Sequence, residues 1–130
     1  MYTVAPSDMN IARTKIVHLV ATASGWGGLE RAAVEVAAEQ SRRGMDVVLL
    51  ASGDVCARLP IGVAGVAFDF SASRRSPLLI WRLRMALKRL RPDLLHLHAN
   101  KAAAIGKTLR VLLPGLKTVS YTHLTLPTKA

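Results

Sequence analysis

The fold is decided by residues 15–44, KIVHLVATASGWGGLERAAVEVAAEQSRRG, in which the hydrophobic pattern changes once. Residues 15–22 form a continuous apolar run with β-branched side chains, which is typical of a strand covered on both faces of a parallel sheet. From Leu29 onward the period is helical, and the helix is predicted to end at Gly44. Its core-facing stripe is predicted to consist of Leu29, Ala32, Ala33, Val36, Ala37 and Gln40. The stretch therefore predicts a strand, a glycine-rich loop and a helix in succession.

The same alternation continues along the rest of the chain. Further strands are predicted at 46–52, 63–70, 93–98 and 117–119, and further helices at 76–92 and 101–113. Strands that alternate with helices of this length imply right-handed βαβ crossovers. We therefore expect an α/β, Rossmann-like, doubly wound parallel sheet in the order 3-2-1-4-5. In that order the loops after strands 1 and 4 face each other across one crevice, where open α/β sheets bind ligands.

Composition limits the class of protein. A chain of 130 residues with 51% hydrophobic residues suits one domain with a real core, and a net charge of +10 favours anionic partners. The single Cys56 rules out a disulfide framework, and no metal-ligand spacing is present, so no metal and no resident cofactor is predicted. Because the chain has no apolar leader and no run long enough to span a bilayer, a cytoplasmic location is expected.

The glycine-rich loop allows two interpretations. Gly25, Gly27 and Gly28 precede a helix N-terminus, where glycines let a phosphate approach exposed backbone amides. The alternative is that they only make a tight turn. The position at the switch crevice favours the first interpretation, as does Trp26, which is predicted to be a ligand wall or lid. Glu30 has a simpler explanation as a first-turn acid that the helix dipole stabilises.

Two phosphate-binding motifs are only partly matched. Glu30 stands where the dinucleotide fingerprint needs its third glycine, so an NAD site is not predicted. The stretch KAAAIGKT (101–108) lacks the first glycine of a P-loop, and Lys107 and Thr108 are interpreted as mid-helix residues.

Residues 15–53 and 91–119 together resemble the N-terminal half of the family 4 glycosyltransferases of the GT-B fold, chiefly through the Gly-Gly-x-Glu loop and the RPDLLHLH strand. The most similar subgroup builds lipopolysaccharide and other bacterial surface glycans. The resemblance implies an acceptor-side domain whose glycine loop lies near the diphosphate of a nucleotide-sugar held by a C-terminal domain. It puts Gly27 and Gly28 near the donor phosphates and makes His98, Asn100 and Lys101 candidates for lining the cleft. No catalytic residue is assigned.

For His98 a backbone-bonded structural role is an equal alternative, and His18 and His96 are expected in the core. The resemblance to the family stops near Val119, and the ending SYTHLTLPTKA instead resembles a translated adaptor-like tail. We expect a flexible leader (1–14), a Rossmann-like domain (15–119) and a non-native tail (120–130). A fragment without the donor domain is expected to be inactive alone.

The helix at 76–92 carries a second prediction. Seven cations and no acid lie between Arg74 and Arg91, which is typical of a solvated face or of attachment to an anionic leaflet. The predicted membrane-surface residues are Arg82, Arg84, Lys88 and Arg89. A stand-alone nucleotide- or phosphate-binding module is the competing function. Nucleic acid is not a predicted partner, because no recognised motif accompanies the charge.

Overall fold

A computed structural model describes residues 14–22, 25–71 and 76–121. These residues fold into five strands and four helical segments that alternate strictly. The strands are β1 (Lys15–Val20), β2 (Asp46–Ala51), β3 (Val63–Ala67), β4 (Leu94–His98) and β5 (Thr118–Tyr121). The helices are α1 (Gly28–Arg42), α2 (Gly53–Cys56), α3 (Pro77–Leu90) and α4 (Ala99–Leu112).

All strand pairs are parallel, and the sheet order is β3-β2-β1-β4-β5. The predicted fold is confirmed. Since β1 pairs with β2 on one side and β4 on the other, the chain winds outward from β1 in both directions. In the register, His18 of β1 lies beside Leu49 of β2 and beside His96 of β4.

Each strand alternates its side chains between the two faces of the sheet. Val17 and Leu19 lie in the cluster that α3 and α4 cover. Val20 lies in the opposite cluster, which we call the α1-side cluster. Its buried members are Val20, Ala33, Val34, Ala37, Val47, Leu49, Ala51, Val55 and Val63. Because α1 buries mainly small side chains, its axis can approach the sheet closely.

The predicted core stripe of α1 was partly wrong. Ala33 and Ala37 are buried as expected, but Val34 and Glu30 are buried in place of Leu29 and Val36, which are half-buried. The helix is therefore rotated by part of a turn from the expected orientation. Glu30 can be buried because its carboxylate bonds to a backbone amide at the helix start.

Helix α3 begins and ends as its sequence indicates. Ser76 is the N-cap, and its hydroxyl accepts a hydrogen bond of 3.3 Å from the amide of Leu79, while Pro77 occupies the first helical position. The helix ends at Leu90, and its C-cap Arg91 has a left-handed φ of 52°. Helix α4 packs on β4 through Gly106, where an added Cβ would overlap the side chain of Leu97.

Several predicted boundaries were wrong by a few residues. Strand β1 ends at Val20, and α4 begins at Ala99. Among the described residues β3 pairs with β2 alone, and it ends at Ala67 because β2 ends at Ala51 and the pair Ala51–Ala67 closes the register. The helical turn α2 was not predicted.

The predicted boundary after Val119 lies within β5, whose residues 120 and 121 pair with Leu97 and His98. Residues 1–13 and 122–130 lie outside the described residues. The assignments of a leader and of a tail therefore remain predictions.

Candidate functional site

The candidate site lies at the carboxyl edge of the sheet, where β1 and β4 are neighbours and their chains leave in opposite directions. The loop after β1 leads into α1, and β4 leads directly into α4. Open α/β sheets bind their ligands at such a switch point. The two predicted sets of site residues therefore lie on adjacent strand ends.

Gly25 is held in place by a side chain of α2. Its φ of +104° lies in the region that favours glycine, and its amide donates a hydrogen bond of 2.9 Å to Oδ2 of Asp54. Asp54 belongs to α2, which follows β2. A carboxylate of the chain itself thus occupies the first amide that was predicted to face a phosphate.

Gly27 is the N-cap of α1, and its amide donates a hydrogen bond of 2.8 Å to Oε1 of Glu30. Burial raises the pKa of Glu30, but the hydrogen bonds to its carboxylate, chiefly from the amides of Glu30 and Gly27, together outweigh burial, and the pKa lies below its ordinary value. Glu30 is therefore ionised at neutral pH. It is a local helix cap, as the simpler interpretation of this residue implied.

Gly28 differs from the other two glycines because no side chain of the described residues accepts a hydrogen bond from its amide. It is the first residue of α1, and a Cβ built on it would meet nothing within 4 Å. As the first residue of the helix, it lies at the positive end of the helix dipole. Of the three predicted glycines, Gly28 is the one best placed to meet an anionic ligand.

Trp26 does not stand out as a free wall. Its ring is half-buried against the α1-side cluster, and the guanidinium carbon of Arg58 lies 5.1 Å from the ring centroid. This contact is a cation–π pair. Trp26 has core to pack against, because α2 and the residues after it add Val55, Cys56 and Leu59 to that cluster.

The predicted site residues at the end of β4 and the start of α4 differ in burial and in their partners. His98 is the last residue of β4 and is 5% exposed. Ala99 has a left-handed φ of 74°. The Nζ of Lys101 donates a hydrogen bond to the carbonyl oxygen of Phe70, on the far side of the loop after β3. Asn100 lies in the first turn of α4, and its side chain is outside the described residues.

His98 belongs to a cluster of three histidines, which we call the histidine cluster: His18, His96 and His98. Nδ1 of His18 lies 2.8 Å from Nε2 of His98, and Nε2 of His18 lies 2.6 Å from Oε1 of Gln40 in α1. The rings of His96 and His98 stack at 4.3 Å with an angle of 15° between their planes. The expectation that His18 and His96 are core residues is confirmed, since both are buried.

Burial keeps the histidine cluster neutral. It lowers the pKa of His98 to about 2, and the neighbouring His96 and His18 lower it further. Burial also lowers the pKa of His18 to about 4, against a partial rise from its bond to Gln40 and with a further decrease from His96. The pKa of His96 is lowered by burial as well. All three imidazoles are therefore uncharged at neutral pH.

The histidine cluster has potential metal-ligand atoms within 4.8 Å of one another. Imidazole lone pairs lie in the plane of the ring, and the stacked rings of His96 and His98 have nearly parallel planes with centroids 4.3 Å apart, so their lone pairs do not converge on one point between the rings. A metal would also have to separate the bonded nitrogens of His18 and His98. The arrangement is that of hydrogen-bonded neutral rings.

The predicted basic face lies on α3. Arg82, Lys88 and Arg89 are exposed, whereas Arg84 is half-buried. Sequence reasoning did not identify the apolar part of this surface, in which Leu78, Trp81 and Met85 are 56%, 55% and 39% exposed. They recur at helical spacing, and this recurrence was the available signal.

The apolar side chains of α3 line an open groove of about 570 Å³ between α3 and residues 66–69. Arg82 and Arg89 lie along the same groove. Among the described residues, no helix has both the length and the apolar character that crossing a bilayer requires.

The chain is similar to known proteins in sequence and in fold. The model of glycosyltransferase family 4 matches residues 26–130. The solved structure of a glycosyltransferase from Rickettsia africae is similar in fold, with a TM-score of 0.64 and 19% identity over 90% of this chain. This chain spans 32% of that protein. No curated protein matches the sequence.

Proposed function

This chain belongs to glycosyltransferase family 4, and on that basis we propose that it is the acceptor-side domain of a nucleotide-sugar-dependent glycosyltransferase. The observation that carries the proposal is the switch point, where the glycine loop and the end of β4 lie on adjacent strands. The donor-side domain would correspond to the part of such enzymes that this chain does not span. Residues 1–130 alone are then expected to be inactive.

The chemistry of glycosyl transfer suits this edge of the sheet. Negative charge develops on the departing diphosphate, and preorganised amides at a helix N-terminus stabilise such charge without a metal. Gly28 and the first turn of α1 would meet the diphosphate, because the amides of Gly25 and Gly27 already bond to Asp54 and Glu30. His98, Asn100 and Lys101 would line the acceptor side.

The test uses the ¹⁵N-labelled chain and NMR titration. UDP, UDP-glucose and NAD are the nucleotide probes, and the core oligosaccharide of a rough-type lipopolysaccharide is the acceptor probe. We expect the oligosaccharide to shift the amides of residues 98–101, and the nucleotides to bind only at millimolar concentrations. Micromolar binding of UDP or NAD at residues 25–28 would instead favour the stand-alone nucleotide-binding module. No shift with any probe would contradict both functions.

The acceptor in this proposal is a lipid-linked bacterial surface glycan. The enzyme would therefore act at the inner face of the cytoplasmic membrane. The support is the surface of α3, where exposed Leu78, Trp81 and Met85 accompany Arg82 and Arg89. Apolar side chains flanked by cations are typical of interfacial helices. Each cation near an anionic leaflet contributes about 1 kcal/mol.

Vesicle co-sedimentation tests this attachment. Replacing Arg82, Arg84, Lys88 and Arg89 by Gln should weaken binding to vesicles that contain phosphatidylglycerol by a factor of about one thousand, at about 1.4 kcal/mol per tenfold. The matched control carries the same loss of charge elsewhere, by replacement of Arg31, Lys107, Arg110 and Lys117. Equal loss in both variants would mean that net charge, and not the α3 surface, binds the membrane. Trp81→Ala should reduce the binding that remains in high salt.

A further inference from the structure

The histidine cluster has a feature that sequence reasoning did not use: a chain of hydrogen bonds that runs from α1 through β1 to the end of β4. Its members are Gln40, His18 and His98, joined by contacts of 2.6 Å and 2.8 Å. His18 is fully buried and His98 is 5% exposed, so water does not compete for these bonds. This series of hydrogen bonds ends at the switch crevice, because His98 is the last residue of β4.

The direction of the bonds follows from the acceptor at the α1 end. The Oε1 atom of Gln40 can only accept, so Nε2 of His18 carries a hydrogen. A neutral imidazole has one N–H, and Nδ1 of His18 is therefore an acceptor. The bond of 2.8 Å between the rings must then be donated by Nε2 of His98.

The same rule leaves Nδ1 of His98 without a hydrogen. Within the part of the chain that the structure describes, this nitrogen has no hydrogen-bond partner. The lowered pKa values of His18 and His98 agree with the single N–H on each ring that this direction requires.

We propose that Gln40 and His18 are positioning residues that fix His98 as its Nε2–H tautomer, so that Nδ1 of His98 is a hydrogen-bond acceptor at the crevice. Its ligand is a hydroxyl group of the sugar acceptor, and this part rests on the proposed function. The tautomer itself does not depend on any ligand. His96, stacked on His98 at 4.3 Å, keeps the ring plane in place.

The first experiment measures the tautomers directly. In a chain labelled with ¹⁵N-histidine, couplings between ring nitrogens and carbon-bound protons distinguish Nε2–H from Nδ1–H rings. The wild-type protein at pH 7.5 should show both His18 and His98 as Nε2–H, with a scalar coupling across the bond between Nδ1 of His18 and Nε2 of His98. Substitution of His96 and His123 by Phe assigns the remaining signals. An Nδ1–H ring at His98 would overturn the proposal.

Reversing the direction of these hydrogen bonds provides the second experiment. In Gln40→Lys the ammonium donates to Nε2 of His18, and both rings should change to the Nδ1–H form. Gln40→Met removes the acceptor and should give a mixture of tautomers, while Ala38→Lys, which adds the same charge on α1, should leave the wild-type pattern. Unchanged tautomers in both Gln40 variants, with folded amide spectra, would refute the positioning role.

The third experiment separates this inference from the proposed function. Addition of the core oligosaccharide should shift Nδ1 of His98 and leave Nε2 bonded to His18. If the tautomers are as proposed but no sugar shifts Nδ1, the positioning role holds and the hydroxyl ligand is wrong. If the tautomers differ, the inference fails whatever the chain binds.

Discussion

Acidification from pH 7.5 to pH 5 should lower the free energy of unfolding by about 4 kcal/mol. This pH range lies above the range in which carboxylates are protonated. The ordinary pKa of 6.5 falls to about 4 for His18 and to about 2 for His98 in the folded chain. Between pH 6.5 and pH 4 the unfolded chain therefore binds protons that the folded chain excludes. Stability is full above pH 6.5 and decreases as the pH falls, by about 1.4 kcal/mol per unit and per group.

Carboxylates do not contribute in this range. The lowered pKa values of Glu30, Glu39 and Asp69 start from 4.5, 4.5 and 3.8, so their stabilisation is lost only below about pH 4.5. A loss of about 4 kcal/mol is a large part of the 5–15 kcal/mol that is typical of a domain. The range from pH 7.5 to pH 5 thus isolates the histidine cluster.

The assay is urea unfolding followed by far-UV circular dichroism at pH 7.5, 6.5, 5.5 and 5.0. His98→Gln keeps a neutral donor toward Nδ1 of His18 but cannot take up a proton, so its dependence on pH should be about half that of the wild type. A free energy of unfolding that stays constant to within about 1 kcal/mol from pH 7.5 to pH 5 would refute the reasoning. It would mean that the folded protein accepts protons at these rings.

Three further perturbations have clear expected outcomes. Gly106→Val should cost about 1–3 kcal/mol in urea unfolding because its side chain collides with β4, whereas Gly28→Ala, which meets nothing within 4 Å, should change stability by less than about 0.5 kcal/mol. Asp54→Ala should accelerate hydrogen exchange at the Gly25 amide, and Asp54→Asn, which keeps an acceptor, should largely preserve protection; equal exchange in all three proteins would contradict the anchoring role. Ala99→Gly should stabilise the domain by about 0.5–1 kcal/mol by relieving the positive φ, and a loss of stability would show that Ala99 is not strained.

The sequence was sufficient for the fold because its signals are local. Apolar runs of strand length alternate with helical periods, and the handedness of βαβ units leaves few topologies. The capping of α3 by Ser76 was likewise predictable from two adjacent residues. Boundaries were less predictable: β3 stops at Ala67 because its neighbour stops, and no residue of β3 itself carries that information.

The candidate site was predictable in place but not in detail. The positions of the two loops follow from the topology. The partners of Gly25 and Lys101, however, lie 29 and 31 residues away, in α2 and in the loop after β3. Trp26 also depends on such contacts, since it packs against the cluster to which α2 contributes Val55. Side-chain contacts between loops are tertiary, and hydrophobic periodicity does not encode them.

The bond between Gly25 and Asp54 has a consequence for selectivity. A carboxylate tethered beside an amide acts as an intramolecular competitor, with an effective concentration on the order of millimolar. Any anion that approaches Gly25 must displace it. A carboxylate or inorganic phosphate that makes a single bond would gain little by this exchange. An anion with several oxygens, which engages Gly28 and the helix dipole at the same time, can compensate for the loss. The loop would therefore filter ligands by the number of oxygens they present together rather than by charge alone.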